Sequence, residues 1–311
     1  MLKYTIDLCV TQAFILDNKL EQIRGGNYMK KTYVKNSTGV LKKVLLCSPK
    51  YFEFEPINVI TEDWLDKGEK SNKEACLREH SELVQAYKEN GVEVEIMDPD
   101  INLPYEVFAR DFGGCISEGF IMGKFREPVR QGETAKYENK MRELGIPCVA
   151  RCTSGAYEGG DFWFLDEYTL AQGVIARTDF DGAENIKRQV SELGYNMIMV
   201  PALRQNLHLD MCFNIVAEKV AVVCREALPY NFLKMLEKRK FTLIDVPQEG
   251  VFRHYCNLQS LGNDRVITFN DNKNVNEKLE ALGIKTIKLD LVEILKGGGG
   301  PHCMTFPLER I

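Results

Sequence analysis

The sequence predicts an α/β fold in which five strand–strand–helix–strand units close into a ring. Two observations carry this: an amphipathic helix passing into a β-rich run recurs five times, and the chemically unusual residues fall at matching places in the units. The helices are expected over 76–90, 133–144, 183–193, 231–240 and 274–282. The strands after them are expected over 92–96, 146–149, 195–200, 241–244 and 284–289. Gly91, Gly145, Gly194 and Gly283 stand where four of the helices end, as a residue in the left-handed region should. The fourth unit lacks its glycine. Further strand-like stretches at 115–125, 168–176, 211–224 and 265–269 complete the units.

Alternating helices and strands would also fit an open doubly wound sheet. The choice between the two rests on where Asp111, Glu158, His208 with Asp210, Tyr255-Cys256-Asn257 and Cys303 fall. Each comes after the post-helix strand of its own unit. Equivalent positions of a ring converge on its axis, whereas an open sheet would spread them along one edge.

With 44% hydrophobic and 27% charged residues, the 311-residue chain can bury a sizeable core. A formal charge of −5 argues against a nucleic-acid or anionic-membrane surface. No apolar run reaches the roughly 18 residues of a membrane span, and the expected location is cytoplasmic. The ten cysteines form no CxxC pair and there are four histidines, so free thiols are expected and neither a metal nor another cofactor is. Residues 1–28 join poorly to the rest of the chain. They are expected to be an extension, either disordered or upstream of a start at Met29-Lys30-Lys31, with one catalytic domain over 29–311.

Cys303 ends the run Gly297-Gly298-Gly299-Gly300-Pro301-His302-Cys303, where glycines let backbone N–H groups approach the sulfur. A nucleophilic thiolate needs a proton-transfer partner, and His208 supplies one. Carboxylates would ordinarily blunt such a cysteine by raising its pKa, which is wasteful unless the substrate is itself a cation. A guanidinium fits: it is planar, permanently charged and matched to carboxylate forks. Asp111, Glu158 and Asp210 are therefore expected to hold it before Cys303, with His208 protonating the leaving amine. Singly each residue has a plain structural reading: a surface ion pair, a turn, a satisfied histidine, a buried thiol.

The segments Phe108-Ala109-Arg110-Asp111, Glu158-Gly159-Gly160-Asp161, His208-Leu209-Asp210 and 297–304 occur in the order found in guanidine-modifying enzymes. From about Leu41 onward the chain resembles the superfamily of arginine deiminases, dimethylarginine hydrolases and amidinotransferases. That resemblance implies the five-bladed α/β propeller called the pentein fold. It suggests Cys303, His208 and Glu158 as catalytic, and Arg130 and Arg177 as anchors for an amino-acid carboxylate. Within the superfamily, Asp210 looks like deiminases and amidinotransferases, Glu158 like the hydrolases, and the helical insertion of arginine deiminases is missing. The loop Glu55-Pro56-Ile57-Asn58 resembles a substrate-covering segment of enzymes that take arginine to ornithine, making Asn58 a substrate-binding candidate. Those enzymes carry asparagine where this chain has Asp111. The expected activity is a deiminase-like hydrolysis of arginine or a close guanidino compound through a thiouronium. Amidino transfer and dimethylarginine hydrolysis are the alternatives, and a non-catalytic binding protein of the same fold stands in a different class. A small guanidino compound is the expected partner, and homo-oligomerisation is left open.

Overall fold

A computed structural model describes residues 32–311. The expectation about residues 1–28 lies outside the described residues. Fifteen strands build five three-stranded sheets. In the second, β3 (Gly113–Ile116) runs antiparallel to β4 (Gly119–Met122), which pairs in parallel with β5 (Cys148–Arg151). The third, fourth and fifth repeat this order: β6 (Phe162–Phe164), β7 (Thr169–Val174) and β8 (Asn196–Pro201); β9 (Phe213–Ala217), β10 (Val220–Val223) and β11 (Thr242–Asp245); β12 (Gln259–Gly262), β13 (Arg265–Phe269) and β14 (Lys285–Leu289). The first sheet takes its inner strand from the far end of the chain. There β15 (Phe306–Arg310) lies antiparallel to β1 (Leu41–Cys47), which pairs in parallel with β2 (Glu93–Met97). That pairing closes the ring.

Each parallel pair is bridged by a helix, as a parallel connection requires. The bridges are α2 (Lys73–Glu89), α3 (Glu133–Glu143), α4 (Phe180–Glu192), α5 (Tyr230–Lys238) and α7 (Lys273–Ala281). Two further helices, α1 (Val59–Asp66) and α6 (Gln248–Phe252), lie in the connections of the first and fourth blades. The strand preceding each hairpin turn is buried almost throughout, whereas the post-helix strands alternate with exposed positions. The buried strands therefore line the axis and the alternating ones the rim.

Four helices end on left-handed glycines, Gly91, Gly145, Gly194 and Gly283, with φ between 69° and 93°. In the fourth blade Lys240 adopts the same conformation, at φ 62°, and its N–H caps the Glu237 carbonyl. The turn geometry is common to all five units, and this one meets it with a side chain that disfavours it by about 1 kcal/mol.

Candidate active site

Short turns deliver the singled-out residues just before the innermost strands. Asp111 lies in the 3-10 turn Ala109–Phe112 before β3, and Glu158 precedes the turn Gly159–Asp161 that enters β6. Asp210 lies in the turn Leu209–Met211 before β9. Asn257 precedes β12 and Cys303 precedes β15. All five blades thus contribute, and all of these side chains are buried. His208 is extended, whereas Asp210 sits inside the turn.

His208 is delivered by a tight three-residue turn. Its N–H donates to the Asn206 carbonyl at 2.7 Å around Leu207, which has φ 63° and ψ −72°. This is the strained γ-turn, held here by packing. Glycine completes the placement: a Cβ on Gly160 would lie 2.8 Å from the imidazole Cγ and 2.9 Å from Asp111 Oδ1. The imidazole reaches Glu158 Oε2 at 3.0 Å through Nε2 and lies 3.7 Å from Asp111 Oδ1 through Nδ1. Burial disfavours its charged form, but Asp111, the bond to Glu158 and the nearby Asp161 outweigh that and raise its pKa to about 9. Glu158 moves the other way, to about 2, because Arg177 and His208 more than offset its burial. His208 therefore rests as an imidazolium. Glu158 is fully used, its Oε1 accepting from the Arg126 backbone N–H, so its role is to hold the histidine.

Cys303 is gripped by Asn257. The Oδ1 of that amide accepts the backbone N–H groups of Gly300, His302 and Cys303 at 3.0–3.1 Å, and its Nδ2 donates to Sγ at 2.9 Å. Sγ in turn donates to Asp210 Oδ2 at 3.3 Å. Burial first, then Asp210 and Asp111, hold the thiol well above its ordinary pKa. The same Asp210 oxygen accepts His302 Nδ1 at 2.8 Å, and His302 stacks on Trp163 with centroids 4.4 Å apart. Asp111 Oδ1 and Asp210 Oδ1 are buried without a hydrogen-bond partner.

A pocket is lined by Asp111, His208, Cys303, Phe108, Arg130 and Arg177 among others, Ile57 and Asn58 included. Two expected substrate contacts have other occupations. Asn58 caps α1, its Oδ1 accepting the N–H groups of Ile60 and Thr61, while its Nδ2 donates to the Gly297 carbonyl. Arg130 forks onto Glu133 with two bonds of 2.9 Å, donates to Asp111 Oδ2 through Nη1, and its Nη2 also meets the carbonyls of Tyr105 and Phe108. It braces Asp111. Arg177 donates to the Ile57 carbonyl at 2.6 Å and sits within 3.6 Å of Glu127 and Glu158, so it ties the covering loop to the site.

The sequence assigns no role to three contributors. Asn257 is flagged only by its matching position in the fourth unit. Asp161, next to the glycine pair, accepts Leu209 N–H and the Thr178 hydroxyl and so fixes the turn after His208. His302 adjoins Cys303 in sequence. Asp111, Glu158 and His208 also place one ligand atom each within 4.8 Å of one another, a set able to hold a cation. A metal there would have to displace the His208 proton.

A ring of five blades that gathers a cysteine, a histidinium and carboxylates with unpartnered oxygens on its axis defines a guanidine-modifying pentein enzyme, acting on C–N bonds as a hydrolase or amidinotransferase. Residues 48–310 match the family model described as N,N dimethylarginine dimethylhydrolase, eukaryotic, and the chain belongs to that family. It is 33% identical to YkgA of Bacillus subtilis (strain 168), over 90% of this chain and 96% of that protein. It is 25% identical to an arginine deiminase of Bacillus thuringiensis subsp. konkukian (strain 97-27), over 69% of this chain and 63% of the deiminase. The N-terminal domain of ArgZ, a cyanobacterial arginine dihydrolase solved bound to product, shares the fold with a TM-score of 0.78 and 24% identity, over 86% of this chain and 97% of that one.

Proposed function

We propose that the protein hydrolyses the guanidinium of arginine or a close derivative, in the manner of an arginine deiminase, with Cys303 as nucleophile. The observation that carries this is the charge arrangement. A neutral thiol stands among buried carboxylates, two of whose oxygens, Asp111 Oδ1 and Asp210 Oδ1, have no donor. A planar cation supplies the missing N–H groups, and its charge offsets the carboxylates that keep the thiol protonated.

On this reading the thiol releases its proton to solvent as the cation arrives, and Sγ bonds to the central guanidinium carbon. The tetrahedral adduct expels an amine as its C–N bond breaks, and the amine takes the proton held by His208. The product on the enzyme is a thiouronium. His208, now neutral, accepts a proton from water as its oxygen bonds to the same carbon. The C–S bond then breaks as the adduct's hydroxyl becomes a carbonyl and its proton passes to Sγ, and a ureido product leaves. Glu158 keeps the imidazole oriented through both halves, and Asn257 holds the sulfur.

A second reading is favoured by family membership: hydrolysis of a dimethylarginine, releasing dimethylamine. Asp210 argues for two unsubstituted sides of the guanidinium, which favours arginine. The test is incubation with L-arginine or asymmetric dimethylarginine, with products resolved by mass spectrometry. Citrulline with ammonia from arginine supports the deiminase, and ornithine with extra ammonia points to a dihydrolase. Turnover confined to the methylated substrate would replace it with the dimethylarginine reading. A new guanidino product formed only with added glycine or lysine would point to transfer.

A further inference from the structure

Further down the axis, beneath His302 and Trp163, lies a second cavity, of about 30 Å³, lined by Arg110, Arg310, Trp163, Asn214, Gln259 and Ser37 among others. Both arginines are buried, 6% and 2% exposed. No carboxylate of the described residues lies within ion-pair distance of either. Buried guanidinium groups are ordinarily paired, because removing a cation from water without a counter-charge is costly.

Their hydrogen bonds are also incomplete. Of five N–H groups each, Arg110 uses two in long contacts of 3.4 Å, to the His302 carbonyl and Gln259 Oε1. Arg310 uses two, to the carbonyls of Gly39 and Ser260 at 2.7 and 2.8 Å. The indole Nε1 of Trp163, 4% exposed, has no acceptor at all. The carboxylate nearest in effect to Arg110 is Asp210, whose Oδ2 is committed to His302 and Cys303. Burial, and for Arg310 also the neighbouring Arg110, lower both guanidinium pKa values, as expected of two like charges without a counter-ion.

We infer that this cavity is a binding site for a small monovalent anion of halide size, held between Arg110 and Arg310 with the Trp163 indole N–H as a further donor. Size suits the class: a water-sized guest needs about 10–15 Å³, so the space accommodates a halide and one water. Asn214 Oδ1, an acceptor without a donor, suits that water. The anion would neutralise the ring interior from below, while the substrate does so from the other side. The inference does not depend on which guanidino compound is turned over.

The experiment compares thermal unfolding of the full chain in sodium chloride, bromide and gluconate at equal ionic strength. A rise of about 3 °C in the halides over gluconate is expected at ten times the dissociation constant. Gln259→Glu places a carboxylate beside Arg110, and it should raise the melting point in gluconate and abolish the halide increment. Crystals grown in sodium iodide supply a readout independent of that variant, and an anomalous peak between the two guanidinium groups is expected. Equal melting points in halide and gluconate without an iodide peak would overturn the site. So would a halide increment that persists undiminished in Gln259→Glu.

Discussion

The axis of the ring carries two buried clusters of opposite character. Around Cys303 the carboxylates Asp111, Glu158 and Asp210 stand with His208, Arg130 and Arg177, and the groups without partners are carboxylate oxygens. Beneath His302 they are Arg110 and Arg310, and there an unpartnered group is an N–H donor, that of Trp163. The difference shows that a single fold position does not dictate charge. Arg110 and Asp111 are neighbours in one turn, yet face different cavities. What the two ends share is incompleteness, each lacking hydrogen-bond partners that its guest would bring.

Substitutions at one end should leave the response of the other in place. The largest effect is expected from Cys303→Ser, which should lower kcat by on the order of ten-thousand-fold or more while arginine binding changes far less. Steady-state kinetics beside calorimetric titration checks it, and near-normal turnover would remove the covalent mechanism. Asp111→Asn should weaken guanidinium binding by roughly 2–3 kcal/mol, about 30- to 150-fold in Kd, while the halide increment stays. Arginine affinity indistinguishable from wild type would break the assignment of the upper cluster as the cation site.

The third expectation concerns pH. His208 has its folded pKa raised to about 9. Its stabilising contribution is therefore fully present below its ordinary value of about 6.5 and is lost as pH rises through about 9. Its capacity to protonate the amine falls over the same window, so kcat should decline above about pH 9. The profile of kcat against pH checks this, and a decline already complete by pH 7 would contradict it. The smallest effect lies away from both clusters. Lys240→Gly should stabilise the protein by about 0.5–1 kcal/mol in urea unfolding, with turnover and halide response unaltered. An unchanged midpoint would mean that the lysine gains elsewhere what its backbone loses.

Much of this was legible in the chain because periodicity and local turn chemistry are local properties. The helices ending at Gly91, Gly145, Gly194 and Gly283 announced the units, and the unusual residues marked one site. Pairing is not local. Nothing near Arg130 in sequence says that, besides its neighbour Glu133, it reaches Asp111 19 residues away. Asn58 read as a substrate contact because its loop was recognisable, while its place as the first residue before a helix gave an equally good reason for an asparagine. Asn257 has no motif of its own, and only the register of the fourth unit pointed to it. Arg110 and Arg310 are unusual for the carboxylates missing around them, which no spacing reveals.

Ring closure has a consequence in the order of synthesis. The strand that seals the first blade, β15, begins three residues after Cys303, and its inward Phe306 and Leu308 are buried. The nucleophile and the clasp leave the ribosome together, after the histidine and acids have emerged. The Cys303 carbonyl accepts from Arg110 N–H, and β15 pairs with β1, so zipping the clasp and seating the sulfur are one event. A nascent chain with four blades made has its acids and its histidine but not yet Cys303, and on the proposed mechanism reactivity arrives only as the circle is joined.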